Sequence, residues 1–208
     1  ALPRVRMRPD SALLEVGISI NNQKRTPMEL MYLAHINLAP VDHGKLVYSA
    51  PGDAGSVRVR TAIPSHITPP EGHREFLQQL SEKPEIHNDL EPGLPYDPEV
   101  VLYLDYRADA EGWAGTLQLH PDGSADVVRH RPAELDHGVR WISRTPDQDC
   151  LGLILPATAE PEGYTAEKAK GNLKLIPAGG VWETRYQFGL LTPAEAREET
   201  QRIARING

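Results

Sequence analysis

Cysteine is almost absent from this chain, with one residue, Cys150, in 208. A lone thiol excludes an internal disulfide and a cysteine cage for a metal, and it points to a reducing, cytoplasmic compartment. Cys150 itself reads as core packing. Long apolar runs are missing as well. The longest, Cys150–Pro156, falls far short of the roughly 20 residues a membrane helix needs, and no basic-then-apolar segment opens the chain as a secretion signal would. Positive charge is in deficit: 22 Lys and Arg against 29 Asp and Glu give a formal net charge of −7. That balance argues against nucleic acid or an anionic membrane as a partner. Eight histidines are present, yet there is no His-x-His, no His-Glu-x-x-His and no Cys pair, so no metal is expected. A Gly-rich phosphate loop and a Gly-x-Ser-x-Gly elbow are also missing, which removes the usual phosphate-binding and serine-hydrolase readings and leaves no cofactor expected.

What the chain does carry is strand text. At 208 residues, with 39% hydrophobic and 25% charged side chains, it suits one domain, residues 1–208, with room for a real core. Pro3–Arg8 and Ala12–Ile20 open it. Val57-Arg-Val-Arg-Thr-Ala-Ile63 alternates with period two, apolar on one side and basic on the other, and stops at Pro64. Val100–Arg107 and Trp113–Leu119 read as a pair joined through the polar Ala108–Gly112 turn. Gly123–Arg129, Gly138–Ile142, Leu151–Leu155, Leu173–Ile176 and Val181–Phe188 complete the run. Short strands at this spacing predict an all-β sandwich or barrel, mostly antiparallel. Two short helices are expected, Arg74–Leu80 and Pro193–Ile206, the second following Thr192 as N-cap. Between Pro64 and Pro98 lies a long proline-rich connection of the kind that either lids a site or is disordered.

The most informative segment is Leu30-Met-Tyr-Leu-Ala-His-Ile-Asn-Leu38. On a strand, positions i and i+2 share a face, so His35 and Asn37 point the same way. Upstream, Ile18–Met28 reads as strand, polar turn and second strand, a hairpin that delivers this polar pair inward. Asn22-…-Thr26-Pro27-…-Tyr32-Leu-Ala-His35-Ile-Asn37 resembles the galactose mutarotase-like (aldose 1-epimerase) superfamily, and more closely its DUF4432-type branch. Four further stretches resemble it in order: Val41–Leu46, Arg140-Trp-Ile142, Leu151–Thr158, and Leu175–Gly179 followed by Tyr186-Gln-Phe188. The resemblance implies a supersandwich with one or two short helices, of which this chain, opening on Ala1, is the C-terminal two-thirds, without its N-terminal part. It also implies a small-molecule sugar as ligand and aldose 1-epimerase activity; a homodimer, or association with the missing N-terminal segment, is the assembly it allows.

Mutarotation needs a general acid on the ring oxygen and a general base on the anomeric hydroxyl. The resemblance places the acid at His35. The base, a strand glutamate in the family, has no counterpart: its place falls at Ile154 and Leu155. Glu160 and Glu162, just beyond, are either a solvated loop or the displaced carboxylates, Glu160 being nearer the strand end. The remaining candidates each keep a plain alternative. Asn37 binds substrate or its own backbone. Asp42 accepts sugar hydroxyls or forms a turn before Gly44. His66 reaches the site or lies on the surface. Tyr103 contacts substrate, or serves as base on a modified sugar. Asp136-His137 orients a ring or closes a turn. Arg140 meets an anionic group or a surface carboxylate. Trp141 stacks on a sugar or packs in the core. Lys168 and Lys170 read as solvated loop. Two function classes stay open, an epimerase and a non-catalytic sugar-binding module that has lost its glutamate.

Overall fold

Alternating side chains place twelve strands in three sheets among the residues described, 1–53, 55–64 and 67–208, in the computed structural model. The large sheet has the order β1 (Leu2–Met7), β2 (Leu13–Asn21), β12 (Val181–Leu191), β8 (Ala125–His130), β7 (Ala114–Leu119) and β4 (Lys45–Tyr48). The small sheet has β10 (Asp149–Ala157), β9 (His137–Arg144), β6 (Val100–Leu104) and β5 (Val57–Val59), and β11 (Lys174–Ile176) pairs with β3 (Met28–Leu30). Neighbours run antiparallel throughout. The two larger sheets face each other across one apolar core. Val16, Leu46, Val128 and Tyr186 meet Leu102, Leu104, Ile142, Leu153 and Ile154 there.

Helices close the sandwich. α1 (His73–Glu82) turns Phe76, Leu77 and Leu80 into the same core, so the long proline-rich connection plugs the fold from one end. α2 (Tyr164–Lys170) follows β10. α3 (Pro193–Asn207) lays Ala196 and Ile203 on Leu117, Val127 and Leu191, the other face of the large sheet. Its start is a full capping box: the Thr192 hydroxyl accepts from the Glu195 N–H, and the Glu195 carboxylate accepts from the Thr192 N–H. Thr192→Ala removes the side-chain half of that box, and an increase of about 1 kcal/mol in the ease of urea unfolding is expected.

Several sequence expectations change here. Residues 31–38 are not a strand; they touch β10 only through isolated bridges, Leu33 to Ala157 and Leu38 to Leu151. Ile18–Met28 is not a hairpin either, because β2 pairs with β1 and β12 while β3 pairs with β11. β6 and β7 do not pair but enter different sheets, so the turn between them crosses the sandwich. α2 replaces the solvated loop read at Lys168 and Lys170, and β4 has no counterpart among the expected strands. Among the described residues there are three α-helices rather than one or two. Cys150 is half-buried at the start of β10, not a core residue.

One polar cluster lies inside the sandwich. Arg140 on β9 is 0% exposed. Its Nε donates to the Leu153 carbonyl at 2.9 Å, and Nη1 to His87 Nε2 at 2.6 Å. The Leu153 carbonyl is free because the β9–β10 register slips between Gly152 and Leu155, leaving a bulge carbonyl that a side chain must satisfy. The guanidinium lies 4.6 Å from the Tyr48 ring centre. His87, with Nδ1 bonded to the Pro84 carbonyl, is an Nδ1–H tautomer that accepts at Nε2. Nearby, Tyr106 pairs with Thr116 at 2.6 Å and stands edge-on to His130 at 4.9 Å between centres. Gly138 makes room for that ring: a Cβ there would lie 2.6 Å from Tyr106 Cδ2.

Candidate functional site

The opposite face of the small sheet collects the candidate chemistry. Strand register lays it out as two rows. Arg58, Tyr103, Val139 and Leu155 form one; Arg60, Val101, Trp141 and Gly152 form the next, Arg60 donating its N–H to the Val101 carbonyl at 2.9 Å. Val101, Tyr103, Val139 and Leu155, with Leu33 and Trp141, make an apolar floor separate from the main core. Charged and aromatic side chains ring it.

His35 comes to this floor from outside β10. The Ala34 N–H bonds the Pro156 carbonyl at 3.0 Å, and Leu38 and Leu151 exchange backbone bonds of 2.9 and 2.8 Å, so the segment is pinned at both ends. Ala34 and Ile36 are buried while His35 and Asn37 are exposed, which keeps the two polar residues on one side as the i, i+2 spacing expects. They face outward, however, not into an enclosed pocket. The His35 ring stands edge-on to Trp141, 5.8 Å between centres. Gly152, next to Trp141 in register, carries no side chain to come between them.

The carboxylates arrive on Glu160-Pro-Glu162, the turn between β10 and α2. Glu160 accepts from Arg58 at 2.8 Å and from Lys170 at 2.6 Å, and its side chain is 9% exposed. Burial pushes its carboxyl up, and the two cations more than reverse this, holding it below the usual carboxylate range. Glu162 accepts the Tyr103 O–H and lies 3.7 Å from Arg60. Burial, then the hydrogen bond to Glu162, raises the Tyr103 phenol well above its ordinary value, so Tyr103 is a donor and not a base here. Glu99 ties the other side: it accepts from Trp141 Nε1 at 2.7 Å and pairs with Arg60.

Tyr103, Glu160 and Glu162 are thus linked on one sheet face through Arg58 and Arg60, Glu99 joins Trp141 to Arg60, and His35 stands beside Trp141, with Asn37 two residues on. Arg140 is not; it points into the sandwich and meets His87 instead of either an anion or a surface carboxylate. Asp42 lies beyond the far end of β9, paired with Arg144 at 2.8 Å. His66 falls outside the described residues. Arg58, Arg60 and Glu99 were missed as site residues. The period-two basic side of Val57–Ile63 was the signal for the arginines; Glu99, alone between Pro98 and β6, gave none. His137 Nδ1 and Asp136 bond at 2.9 Å, and Asp136 also pairs with Lys174 at 2.6 Å.

A cleft of about 100 Å³ lies at one end of the floor, lined by Arg58, Tyr103, Asp136, His137 and Glu160 among others. This is below the 300–1,000 Å³ common for enclosed ligand pockets, so the face is an open platform. Larger depressions, about 390 Å³ over β1, β2 and β12 and about 460 Å³ beside α3, lie away from His35 and Trp141. Among the described residues no group of three or more His, Cys, Asp or Glu side chains is placed to hold a metal ion, and no helix is long and apolar enough to cross a membrane.

Solved structures share this architecture. A Klebsiella pneumoniae protein provisionally described as an aldose 1-epimerase superposes over 99% of this chain and 50% of its own, with TM-score 0.81 and 13% identity. The fold is the galactose mutarotase-like β-sandwich. A galactose mutarotase related enzyme from Lactobacillus acidophilus covers 92% of this chain and 61% of its own at TM-score 0.54 and 13% identity. A Synechocystis sp. PCC 6803 protein covers 91% and 54%, again at 0.54 and 13%. The chain therefore spans about half to three-fifths of the length of the structures it matches. No protein-family model matches the chain, and no curated protein matches it in sequence. On this mutarotase-like frame the expected place of the family's strand carboxylate is split by the bulge, Ile154 entering the core and Leu155 the outer floor.

Proposed function

We propose that the outer face of the small sheet binds a free aldose and interconverts its anomers without a cofactor, in the manner of an aldose 1-epimerase. The observation that carries this is the arrangement, on one face of a mutarotase-like sandwich, of His35 against the Trp141 ring and of two glutamates tied to the same face by Arg58 and Arg60. Trp141 offers the flat apolar surface on which a pyranose stacks. Protonated His35 gives its proton to the ring oxygen as a carboxylate takes the anomeric O–H proton. The O–H electron pair becomes the carbonyl, the bond from the anomeric carbon to the ring oxygen breaks, and the aldehyde turns about its bond to the next carbon before the steps reverse.

Glu162 is the better base of the two glutamates. Glu160 is clamped by Arg58 and Lys170, which makes it a weak proton acceptor and a strong tether for the loop. Glu162→Gln is expected to slow anomer exchange about 100-fold, within the range for loss of a general base, while Glu160→Gln slows it far less and lowers the melting temperature. Saturation-transfer NMR on a panel of aldoses measures the first and thermal unfolding the second. Equal losses, or a larger one in Glu160→Gln, would return the role of base to Glu160.

Leu155 supports a second reading, a sugar-binding module without turnover, since the family's strand position has lost its carboxylate. Line broadening of a bound sugar with no accelerated exchange would select it. The finer placement in the DUF4432-type branch rests on Tyr32-Leu-Ala-His35-Ile-Asn37, and a cytoplasmic location on the single thiol.

A further inference from the structure

The basic alternation of Val57–Ile63 has a partner of the same period. Arg58 and Arg60, two residues apart on and just beyond β5, face Glu160 and Glu162, two residues apart in the turn after β10. Of the two arginines, Arg60 is the one that reaches a second carboxylate on the platform. Its two terminal nitrogens divide between Glu99 and Glu162, and Glu99 in turn holds the Trp141 indole N–H. Arg60 is 16% exposed and Glu99 and Glu162 are 26% and 31% exposed, so water only partly screens the three charges.

We propose that Arg60 is a positioning residue which locks the carboxylate turn carrying Glu162 to the tryptophan platform; this rests on the reading of Glu162 as the base. One planar guanidinium bridges two carboxylates that would repel each other without it. Its removal leaves Glu99 and Glu162 without the cation that joins them. Glu162 also loses the contact that holds it on the Trp141 side of Tyr103. Arg58 cannot substitute, because Glu160 occupies it. A lysine at position 60 supplies the charge but not the fork, so it pairs with one carboxylate at a time.

The test uses the full chain labelled at the glutamate side-chain carboxyl carbon and the tryptophan indole nitrogen, as wild type, Arg60→Met and Arg60→Lys, with circular dichroism to show that each is folded. In Arg60→Met the Glu162 carboxyl and Trp141 indole signals are both expected to shift, because the link between them through Glu99 is gone. Anomer exchange falls about tenfold as the base is no longer held in place, while sugar affinity changes less than about twofold, since stacking on Trp141 is retained. Arg60→Lys restores part of both signals and part of the rate. Glu162 and Trp141 signals that stay in place in folded Arg60→Met overturn the inference, whatever the activity. If the wild type accelerates no sugar in the panel but the signals move as described, the positioning role stands and the epimerase reading falls.

Discussion

His35→Ala is expected to abolish accelerated anomer exchange while leaving the fold intact. The two halves of that expectation come from different observations. His35 is exposed, and among the described residues the one aromatic ring beside it is Trp141, at 5.8 Å between centres. Removing the imidazole therefore opens no core cavity, and the segment stays pinned by backbone bonds at Ala34 and Leu38 that do not involve the side chain. Exposed substitutions of this kind change stability by no more than about 0.5 kcal/mol. Losing a general acid, in contrast, costs roughly 100- to 10,000-fold in rate. Saturation-transfer NMR with wild type and variant at equal concentration reads the rate, and retained line broadening shows that sugar still reaches Trp141. Exchange undiminished in the variant would eliminate His35 as the acid.

How much of this was legible beforehand depends on what each residue answers to. Strands that bury one face announce themselves by alternation, so β2, β8, β9 and β12 fall within a residue or three of their sequence readings. The cap of α3 is local chemistry and was readable from Thr192 and Glu195 alone. Strand partners are set by distant contacts, which is why β6 and β7 looked like a hairpin although the turn between them passes from one sheet to the other. The shared outward side of His35 and Asn37 was legible because their i, i+2 spacing survives even without a strand. Arg140 was misplaced for the opposite reason: charge normally marks the surface, and nothing local reveals the bulge carbonyl of Leu153 that draws it inward. Glu99 acquires its role from Trp141 and Arg60, which come from other strands. The general rule is that face and period are local, whereas pairing and coordination are not.

Acid should unfold the protein at a pH where most carboxylates are still ionised. His87 and His130 lie at 0% and 1% exposure, and burial lowers both to about 3. For His87 the Arg140 charge adds to burial, and protonation at Nε2 would also turn the acceptor of the 2.6 Å bond into a second donor. The sign follows from comparing states. Unfolded, each histidine titrates near 6.5, so above that pH both states are neutral there and the two groups contribute no pH dependence. Below it the unfolded chain takes up protons that the folded chain refuses, and stability falls until the folded value near 3 is reached. Each histidine costs about 1.4 kcal/mol per pH unit in that window, so the pair removes about 5 kcal/mol between pH 7 and pH 4.5, a large share of the 5–15 kcal/mol that holds a domain folded. Carboxylates held low by partners, such as Glu199 between Arg129 and Arg202, act in the same direction but only nearer pH 4. Urea unfolding at pH 7, 6, 5 and 4.5 should therefore show a midpoint that drops throughout. His130→Phe keeps a ring against Tyr106 and should halve the slope. A midpoint flat from pH 7 to 4.5 would mean that the histidines are protonated in the folded core, and the pairing of Arg140 with a neutral His87 would have to be abandoned.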